Sequence, residues 1–368
     1  MRWILGFFAA VTAFAATPIL RSTFGDNTGA WTALGGNGTV RVANEVADTR
    51  DGKPSLAFDY VIGSKRFGAA ILPVEPAVLT GMEQLHFWIR TDYPTTVAVI
   101  LSEKGGGNYT AMMWSPGAVW QEVKVEPRDF TLGERPNDPP DPDGKLDVDQ
   151  LRGIGLADLG QLFGAALPDT RLPVALSRNP GNHTLLVSDF EVLNGIAESK
   201  DSLLVDKFDA PQISWLNPSG AALRLDASGD HAPGPALEMT YDDAGGAVVY
   251  IARNLPPAIA ANVTHISFDI ASEKPAQFVF TLQEKGSGKG EGPRYHTTVE
   301  VRGGGRTDHR DLALRAFVLD ENGPPDPAGS LNIVNAKSLG IGDISATVSA
   351  AHGPNKIWIS NLHLIARD

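Results

Sequence analysis

"DPPDPDGKLDVDQLRGIGLADL" occupies residues 138–159, and residues 323–344 repeat it as "GPPDPAGSLNIVNAKSLGIGDI" with most of the acidic residues replaced. Both versions keep Asp-Pro, a glycine, a leucine and then an apolar run that ends in aspartate. Proline fixes φ, glycine permits positive φ, and Asp or Asn caps a short turn. The pattern therefore predicts a turn that leads into a buried strand, present twice in the chain.

The regular acidic spacing of the first version also raises the possibility of an EF-hand calcium loop. With Gly144 at loop position six, Pro139 and Gln150 would stand at positions one and twelve, where calcium needs acidic ligands. The second version has Ala328 where the first has Asp143. The sequence therefore favours a turn over a metal loop at this place.

The repeat extends along nearly the whole chain and predicts two copies of one domain. Matching pairs are "PSLAFDY" (54–60) with "PALEMTY" (235–241), "LHFWIR" (85–90) with "ISFDIA" (266–271), "LSEKGGG" (101–107) with "LQEKGSG" (282–288), and "LLVSDFEVL" (185–193) with "IWISNLHLI" (357–365). We predict a first copy over residues 16–195, a linker over 196–202 and a second copy over 203–368.

Each copy consists of short alternating segments separated by glycine, proline and acidic turns. The segment 95–105, "TTVAVILSEKG", places Val97, Val99 and Leu101 on one side of a strand. In "LHFWIR" the residues Trp88 and Arg90 fall on the side opposite the apolar ones. This period predicts an all-β fold of two tandem antiparallel β-sandwiches of the jelly-roll type.

Composition and charge restrict the partners and the compartment. The chain has 368 residues, a net charge of −12 and no cysteine, which leaves no disulfide and no thiolate nucleophile. Because no basic cluster is present, we expect neither nucleic acid nor, after signal cleavage, a membrane as partner. Residues 1–15 resemble an export signal, since the apolar run is shorter than the roughly 20 residues of a membrane span. We expect a secreted or periplasmic bacterial protein.

Several further segments resemble a known family. They are "STFGDNTGAW" (22–31), "VDKFDAPQISW" (205–215), "WQEVKVEPRDF" (120–130) and "VSDFEV" (187–192). With the repeated turn, they resemble galactose-binding-like β-sandwich domains, above all complex I intermediate-associated protein domains and family eleven carbohydrate-binding modules. The resemblance implies glycan binding on a concave sheet face.

The same resemblance implies a structural calcium ion near the first and last strands of a copy. On that basis Asp26 and Asp189 are the candidates in the first copy, and Asp206 or Asp209 in the second. Turn and capping roles are the alternative for all four residues.

A second shared feature is the group Glu103, Lys104 and Tyr109, which recurs as Glu284, Lys285 and Tyr295. One interpretation is a charged hairpin end that discourages edge pairing. The other is a sugar platform, in which aromatic rings stack on the C–H faces of sugars and polar groups bind hydroxyls. The candidates for that platform are Trp88, Arg90, Ser102, Lys104, Tyr109 and Trp114 in the first copy and Gln283, Lys285 and Tyr295 in the second. Because it has the tryptophans, we expect the first copy to bind more strongly.

No catalytic motif is present: the chain lacks H-E-x-x-H, G-x-S-x-G and a phosphate-binding loop. The sequence therefore predicts a non-enzyme, namely an exported carbohydrate-binding protein whose partner is a glycan or polysaccharide. Two alternatives are a structural or adhesion protein that binds another envelope protein, and a polysaccharide lyase that uses a single histidine as base and Tyr109 or Tyr295 as acid.

Overall fold

The computed structural model describes residues 16–64, 66–133, 138–164, 179–196, 203–243, 246, 248–286, 290–348 and 353–366. The predicted export signal and residues 197–202 of the predicted linker lie outside these ranges.

The first copy consists of twelve strands and one short helix among the described residues. They are β1 (Thr17–Ser22), β2 (Thr32–Leu34), β3 (Thr39–Ala43), β4 (Ser55–Ile62), β5 (Ala69–Pro73), β6 (Gln84–Thr91), β7 (Thr95–Glu103), β8 (Asn108–Ser115), β9 (Gln121–Val125), β10 (Thr131–Leu132), β11 (Leu151–Asp158), α1 (Gly160–Gly164) and β12 (Gly181–Asn194). Single 3₁₀ turns at Pro127–Asp129 and Val148–Gln150 precede β10 and β11.

The second copy has a similar order, with eleven described strands and one short helix. They are β13 (Leu204–Asp206), β14 (Ala222–Asp226), β15 (Ala236–Asp242), β16 (Val249–Asn254), β17 (Val263–Ser272), β18 (Ala276–Glu284), β19 (Arg294–Val301), β20 (Asp308–Ala313), β21 (Val318–Leu319), β22 (Ala336–Asp343), α2 (Ser345–Val348) and β23 (Pro354–Ala366). The 3₁₀ turns are Leu314–Ala316 and Ile333–Asn335.

Each copy folds as two antiparallel sheets packed face to face. In the first copy, sheet 1a has the order β3-β4-β12-β6-β9 with β1 beside β12, and sheet 1b has the order β10-β8-β7-β11-β5-β2. In the second copy, sheet 2a has the order β14-β15-β23-β17-β20 with β13 beside β23, and sheet 2b has the order β16-β22-β18-β19-β21. The predicted all-β sandwich class is therefore confirmed.

The alternation of apolar residues sets the inner face of each sheet. Val97, Val99 and Leu101 on β7 are fully buried in the first core, whereas Ile100 and Ser102 between and after them are half-buried. Phe278, Phe280 and Leu282 on β18 occupy the matching inner face of the second core. Burial of such side chains stabilises the fold by roughly 2 kcal/mol each.

The aspartate that ends the repeated stretch joins the two sheets of its sandwich. Asp158 on β11 accepts hydrogen bonds from the hydroxyls of Tyr60, Tyr93 (2.6 Å) and Thr95 (2.6 Å) and from the backbone N–H of Gly160 (2.7 Å). Tyr60 lies on β4 of the opposite sheet. A buried carboxylate is tolerated when it is hydrogen-bonded in this way, which explains why the tyrosine and the aspartate are both repeated.

The two copies contact each other through the segment that enters the second one. The backbone N–H of Trp114 donates to the carbonyl of Ile213 (2.8 Å), and Leu216 exchanges two backbone hydrogen bonds with Ala252 on β16. Trp114 belongs to the same hydrophobic cluster as Trp215 and the core residues of the second copy, and it is 2% exposed. The outer end of β8 is thus part of a domain interface.

We predict that Trp114→Ala destabilises the protein by about 3–5 kcal/mol, because the substitution leaves a cavity in a close-packed core. Trp88→Ala is the matched control, since Trp88 is only half-buried on an outer face. Denaturant unfolding of both variants measures the difference. Equal losses of stability in the two variants would contradict this role of Trp114.

Candidate functional site

The predicted first-copy platform does not form one surface. Trp88 and Arg90 lie on the outer face of sheet 1a, whereas Ser102 and Trp114 lie on the outer face of sheet 1b. The expectation of a shared face was wrong because β6 belongs to one sheet and β7 to the other. Their outer faces are opposite sides of the sandwich.

The loop between β3 and β4 covers Trp88 and Arg90. The guanidinium of Arg50 lies 3.7 Å from the centre of the Trp88 ring, and Arg90 donates to the carboxylate of Asp48 (2.8 Å) and to the carbonyl of Ala47. These contacts occupy the Trp88 ring face and the Arg90 guanidinium, which are the groups that a sugar would contact.

The other first-copy candidates also have partners within the protein. The hydroxyl of Ser102 donates to Asn108 (2.7 Å), and the hydroxyl of Thr96 on the same face accepts from the backbone N–H of Asn217 in the second copy (2.9 Å). Together with the burial of Trp114, this contact covers one end of the outer face of sheet 1b. Lys104 lies beyond the end of β7 and is exposed.

Tyr109 and Tyr295 are buried and hydrogen-bonded to the repeated turns, so they do not belong to an exposed platform. They are 3% and 1% exposed, and their hydroxyls donate to Asp141 and Asp326, which lie three residues before the shared glycine of the two repeated turns. Burial raises the pKa of both phenols well above the ordinary value, and the adjacent aspartates raise it further. A sugar cannot stack on either ring, so this part of the platform prediction was wrong.

The turn interpretation of the repeated stretch agrees with its contacts. Gly144 has a φ of 69°, which favours glycine. Glu103 accepts from the backbone N–H of Asp147 (2.5 Å), and Glu284 accepts from that of Asn332 (2.6 Å) in the second copy. Each glutamate therefore fastens the turn to the end of a central strand.

The calcium candidates do not converge. Asp189, at a bulge in β12, pairs with Arg50 (2.5 Å) and Lys53 (3.5 Å), while Asp26 and Asp209 are exposed. Asp206 accepts from the ring N–H of Trp215 (2.9 Å) and pairs with Arg253 (2.8 Å). Within the described ranges no group of three or more His, Asp or Glu residues has metal-binding geometry. Calcium stays a prediction, and the cations beside Asp189 and Asp206 disfavour those positions.

An aromatic residue that the sequence interpretation missed lies on the outer face of sheet 2b. Tyr250 on β16 is half-buried, and its ring lies across Gly340 and Gly342 of β22. A methyl group at Gly340 would be 1.8 Å from the Tyr250 hydroxyl, and one at Gly342 would be 3.2 Å from the ring. Glycine at both positions lets the ring approach the sheet, and the hydroxyl of Tyr250 is 3.0 Å from that of Thr281.

Polar side chains continue the same outer face beyond Tyr250. Thr281 pairs with His296, and Gln283 pairs with Arg294, across β18 and β19. Arg294 forms a salt bridge with Asp320 (2.7 Å). Gln283, the one predicted residue on this face, donates to the carbonyl of Gly292, while Lys285 lies exposed past the end of β18. We call the set Tyr250, Thr281, Gln283, Arg294, His296 and Asp320 the Tyr250 face.

A signal for this face was present in the sequence. The run "GIG" at 340–342 puts two glycines on one side of a strand, and glycine inside a strand marks a close approach of another group. The first copy has Gly155 on the matching strand, but Ile71 and Ile100 lie over it. Without the strand pairing, the group above the glycines could not be identified.

Three solved structures are similar to this chain. A family 11 carbohydrate-binding module from Clostridium thermocellum, in complex with a β-1,3-1,4-mixed-linked tetrasaccharide, is 21% identical with a TM-score of 0.36, over 45% of this chain and 95% of that chain. The N-terminal CBM22-1–CBM22-2 tandem domain of Paenibacillus barcinonensis Xyn10C is 13% identical with a TM-score of 0.31, over 97% of this chain and 99% of that chain. An exo-β-agarase is 12% identical with a TM-score of 0.33, over 45% of this chain and 25% of that chain.

One of the three is a family 11 module, the family that the sequence resembles. No family model and no curated protein matches the chain. Among the described residues, no helix has the length and apolarity needed to cross a membrane.

The ionisation of Glu103 provides a test of the contact between this residue and the repeated turn. Burial raises the pKa of Glu103 from 4.5 to about 7; the nearby Asp141 adds to the rise, and the hydrogen bond from Asp147 opposes it. The native state therefore binds this proton more tightly than the unfolded state, so stability falls as the pH rises from about 4.5 to 7.

We predict that Glu103→Gln removes this part of the pH dependence, because glutamine keeps the acceptor oxygen for Asp147 and cannot ionise. Denaturant unfolding between pH 4.5 and 8 measures it, with the exposed Lys104→Gln as control. If the stability of Glu103→Gln falls with pH as steeply as that of the wild type, Glu103 does not titrate in this range.

Proposed function

We propose that this chain is an exported, non-catalytic carbohydrate-binding protein and that the Tyr250 face of the second copy holds the sugar. The single observation that supports this most is the half-buried Tyr250 ring held on an outer sheet face. Sugar rings present apolar C–H faces that pack on aromatic rings, and a ring fixed by Gly340, Gly342 and Thr281 loses little entropy on binding.

The surrounding side chains supply the polar part of such a site. Arg294 and His296 offer donors, Asp320 offers acceptors, and Gln283 offers both. Because Asp320 holds Arg294 at 2.7 Å, the guanidinium is positioned before a ligand arrives. Hydroxyl groups of a sugar can bond to this row while one ring packs on Tyr250.

The first copy supports this role less well. Its matching outer face has Ile71 and Ile100 above Gly155, and Trp114 and Thr96 at one end contact the second copy. The expected preference for the first copy is therefore replaced by a proposal for the second. A protein partner in the cell envelope is the alternative occupant of the Tyr250 face.

We predict that Tyr250→Ala weakens binding about tenfold, because it removes a stacking contact worth about 1 kcal/mol or more. A glycan array on the mature protein selects the ligand, and calorimetric titration gives the dissociation constant. Tyr250→Phe should bind nearly as well as the wild type, since it keeps the ring, and Trp88→Ala should bind normally.

Incubation with the selected polysaccharide then separates binding from turnover. Binding without new unsaturated or reducing ends supports a non-catalytic protein. Newly formed products would contradict that part of the proposal, and an array without any bound glycan would favour the protein partner.

A further inference from the structure

The end of the second sandwich contains a cavity of about 170 Å³. Its lining residues are Asp243, Lys274, Pro275, Asp343, Ser345, Gly353 and Asn355. Asp343, Asp243 and Asn355 are 1%, 4% and 7% exposed, so they form a buried polar floor, whereas Lys274 and Pro275 are exposed at the rim. The volume has room for several water molecules or a small ring.

The first copy shows what occupies this position when it is filled. The hydroxyl of Thr91 donates to the carbonyl of Tyr93 (2.7 Å), and the hydroxyl of Ser272 donates to the carbonyl of Lys274 (2.7 Å). Lys274 therefore stands where the first copy has Tyr93. By the same comparison, Ala276 begins β18 where Thr95 begins β7.

A second aromatic ring of the first copy, that of His183, also has no counterpart in the second copy. His183 pairs with Tyr60 across β12 and β4, and Asn355 pairs with Tyr241 across β23 and β15. In the first copy the His183 ring packs 4.4 Å from the Tyr93 ring. Lys274 and Asn355 replace this pair of rings, which accounts for the space.

The exchange removes two hydrogen-bond donors from the buried carboxylate. Asp158 accepts from Tyr60, Tyr93, Thr95 and the N–H of Gly160. In the part of the chain that the structure describes, Asp343 accepts only from the hydroxyl of Tyr241 and the N–H of Ser345 (2.8 Å).

An ionised carboxylate has about four acceptor positions. Asp343 therefore keeps unused acceptor capacity on the side where the Tyr93 and Thr95 hydroxyls stand in the first copy. A buried acceptor is stabilised when a donor reaches it.

We propose that this cavity binds a small six-membered ring that bears hydroxyl groups, with one hydroxyl donating to Asp343 in place of the Tyr93 hydroxyl. Asp243 and Asn355 then bind further hydroxyls of the same ring. A phenol supplies the first of these hydroxyls, and a pyranose supplies all of them. The cavity shares no lining residue with the Tyr250 face, so the site holds whether or not that face binds a glycan.

The test introduces tyrosine, the first-copy residue at this position, in place of Lys274 in the full chain. Lys274→Tyr places a phenol side chain in the cavity, and Glu273→Tyr adds the same side chain at the exposed neighbouring position as control. The probes are 4-methylphenol, galactose and glucose, measured by the shift in melting temperature and by calorimetric titration. Ala276→Thr, which restores the other donor, is a second variant for the case that Lys274→Tyr does not fold.

The wild type and Glu273→Tyr should bind a probe and gain melting temperature, because a ligand of the native state alone stabilises it. Lys274→Tyr should melt higher without a ligand and bind the probe about tenfold more weakly, and Ala276→Thr should also bind more weakly. Binding of 4-methylphenol alone identifies a phenolic ligand, and binding of a sugar alone identifies a pyranose.

Two results would overturn the proposal. One is that none of the three probes binds the wild type. The other is that the wild type, Lys274→Tyr and Ala276→Thr bind a probe equally well. Tyr250→Ala should leave this binding unchanged, so failure here and failure of the Tyr250 face are distinguished.

Discussion

The hydrogen bond between a buried tyrosine and a buried aspartate holds the two sheets of each sandwich in a fixed relation. Tyr60 reaches Asp158 from β4 to β11, and Tyr241 reaches Asp343 from β15 to β22. Because a charge in the interior must be hydrogen-bonded, the positions of its donors are restricted. Each copy has the turn, the strand and the tyrosine together with this aspartate.

The two copies surround the buried aspartate with different numbers of hydrogen-bond donors, and they differ in the space beside it. The first copy surrounds its aspartate with four donors and packs two rings against the site, which makes that end a closed core. The second copy lacks two of the donors and both rings, and a cavity lies beside Asp343 instead. The first copy thus has a filled structural site, and the second copy has a cavity of about 170 Å³ at the same place.

A similar division applies to the outer faces of sheets 1b and 2b. In the first copy this face supplies Trp114 and Thr96 to the domain interface, and Gly155 lies under aliphatic side chains. In the second copy the matching face carries Tyr250 across two glycines with a polar row beside it. Residues 213–217 contact the first copy, and Asn254 at the end of β16 donates to the carbonyl of Thr110 (2.9 Å), so both outer faces contribute one end to the contact between the copies.

The sequence by itself determined the two copies, the all-β class and the turn at residues 138–150, because each of these follows from local periodicity and turn chemistry. Strand alternation also separated Phe87 from Trp88 and Leu101 from Ser102 correctly. Alternation does not show which sheet a strand joins. The sequence therefore could not show that Trp88 and Trp114 lie on opposite sides of the sandwich. Only the tertiary structure decided that Tyr109 is buried against Asp141, that Tyr250 lies over Gly340, and that Lys274 leaves Asp343 with two donors. Each of these depends on residues brought together from distant strands, and packing between such residues leaves no periodic trace in the sequence.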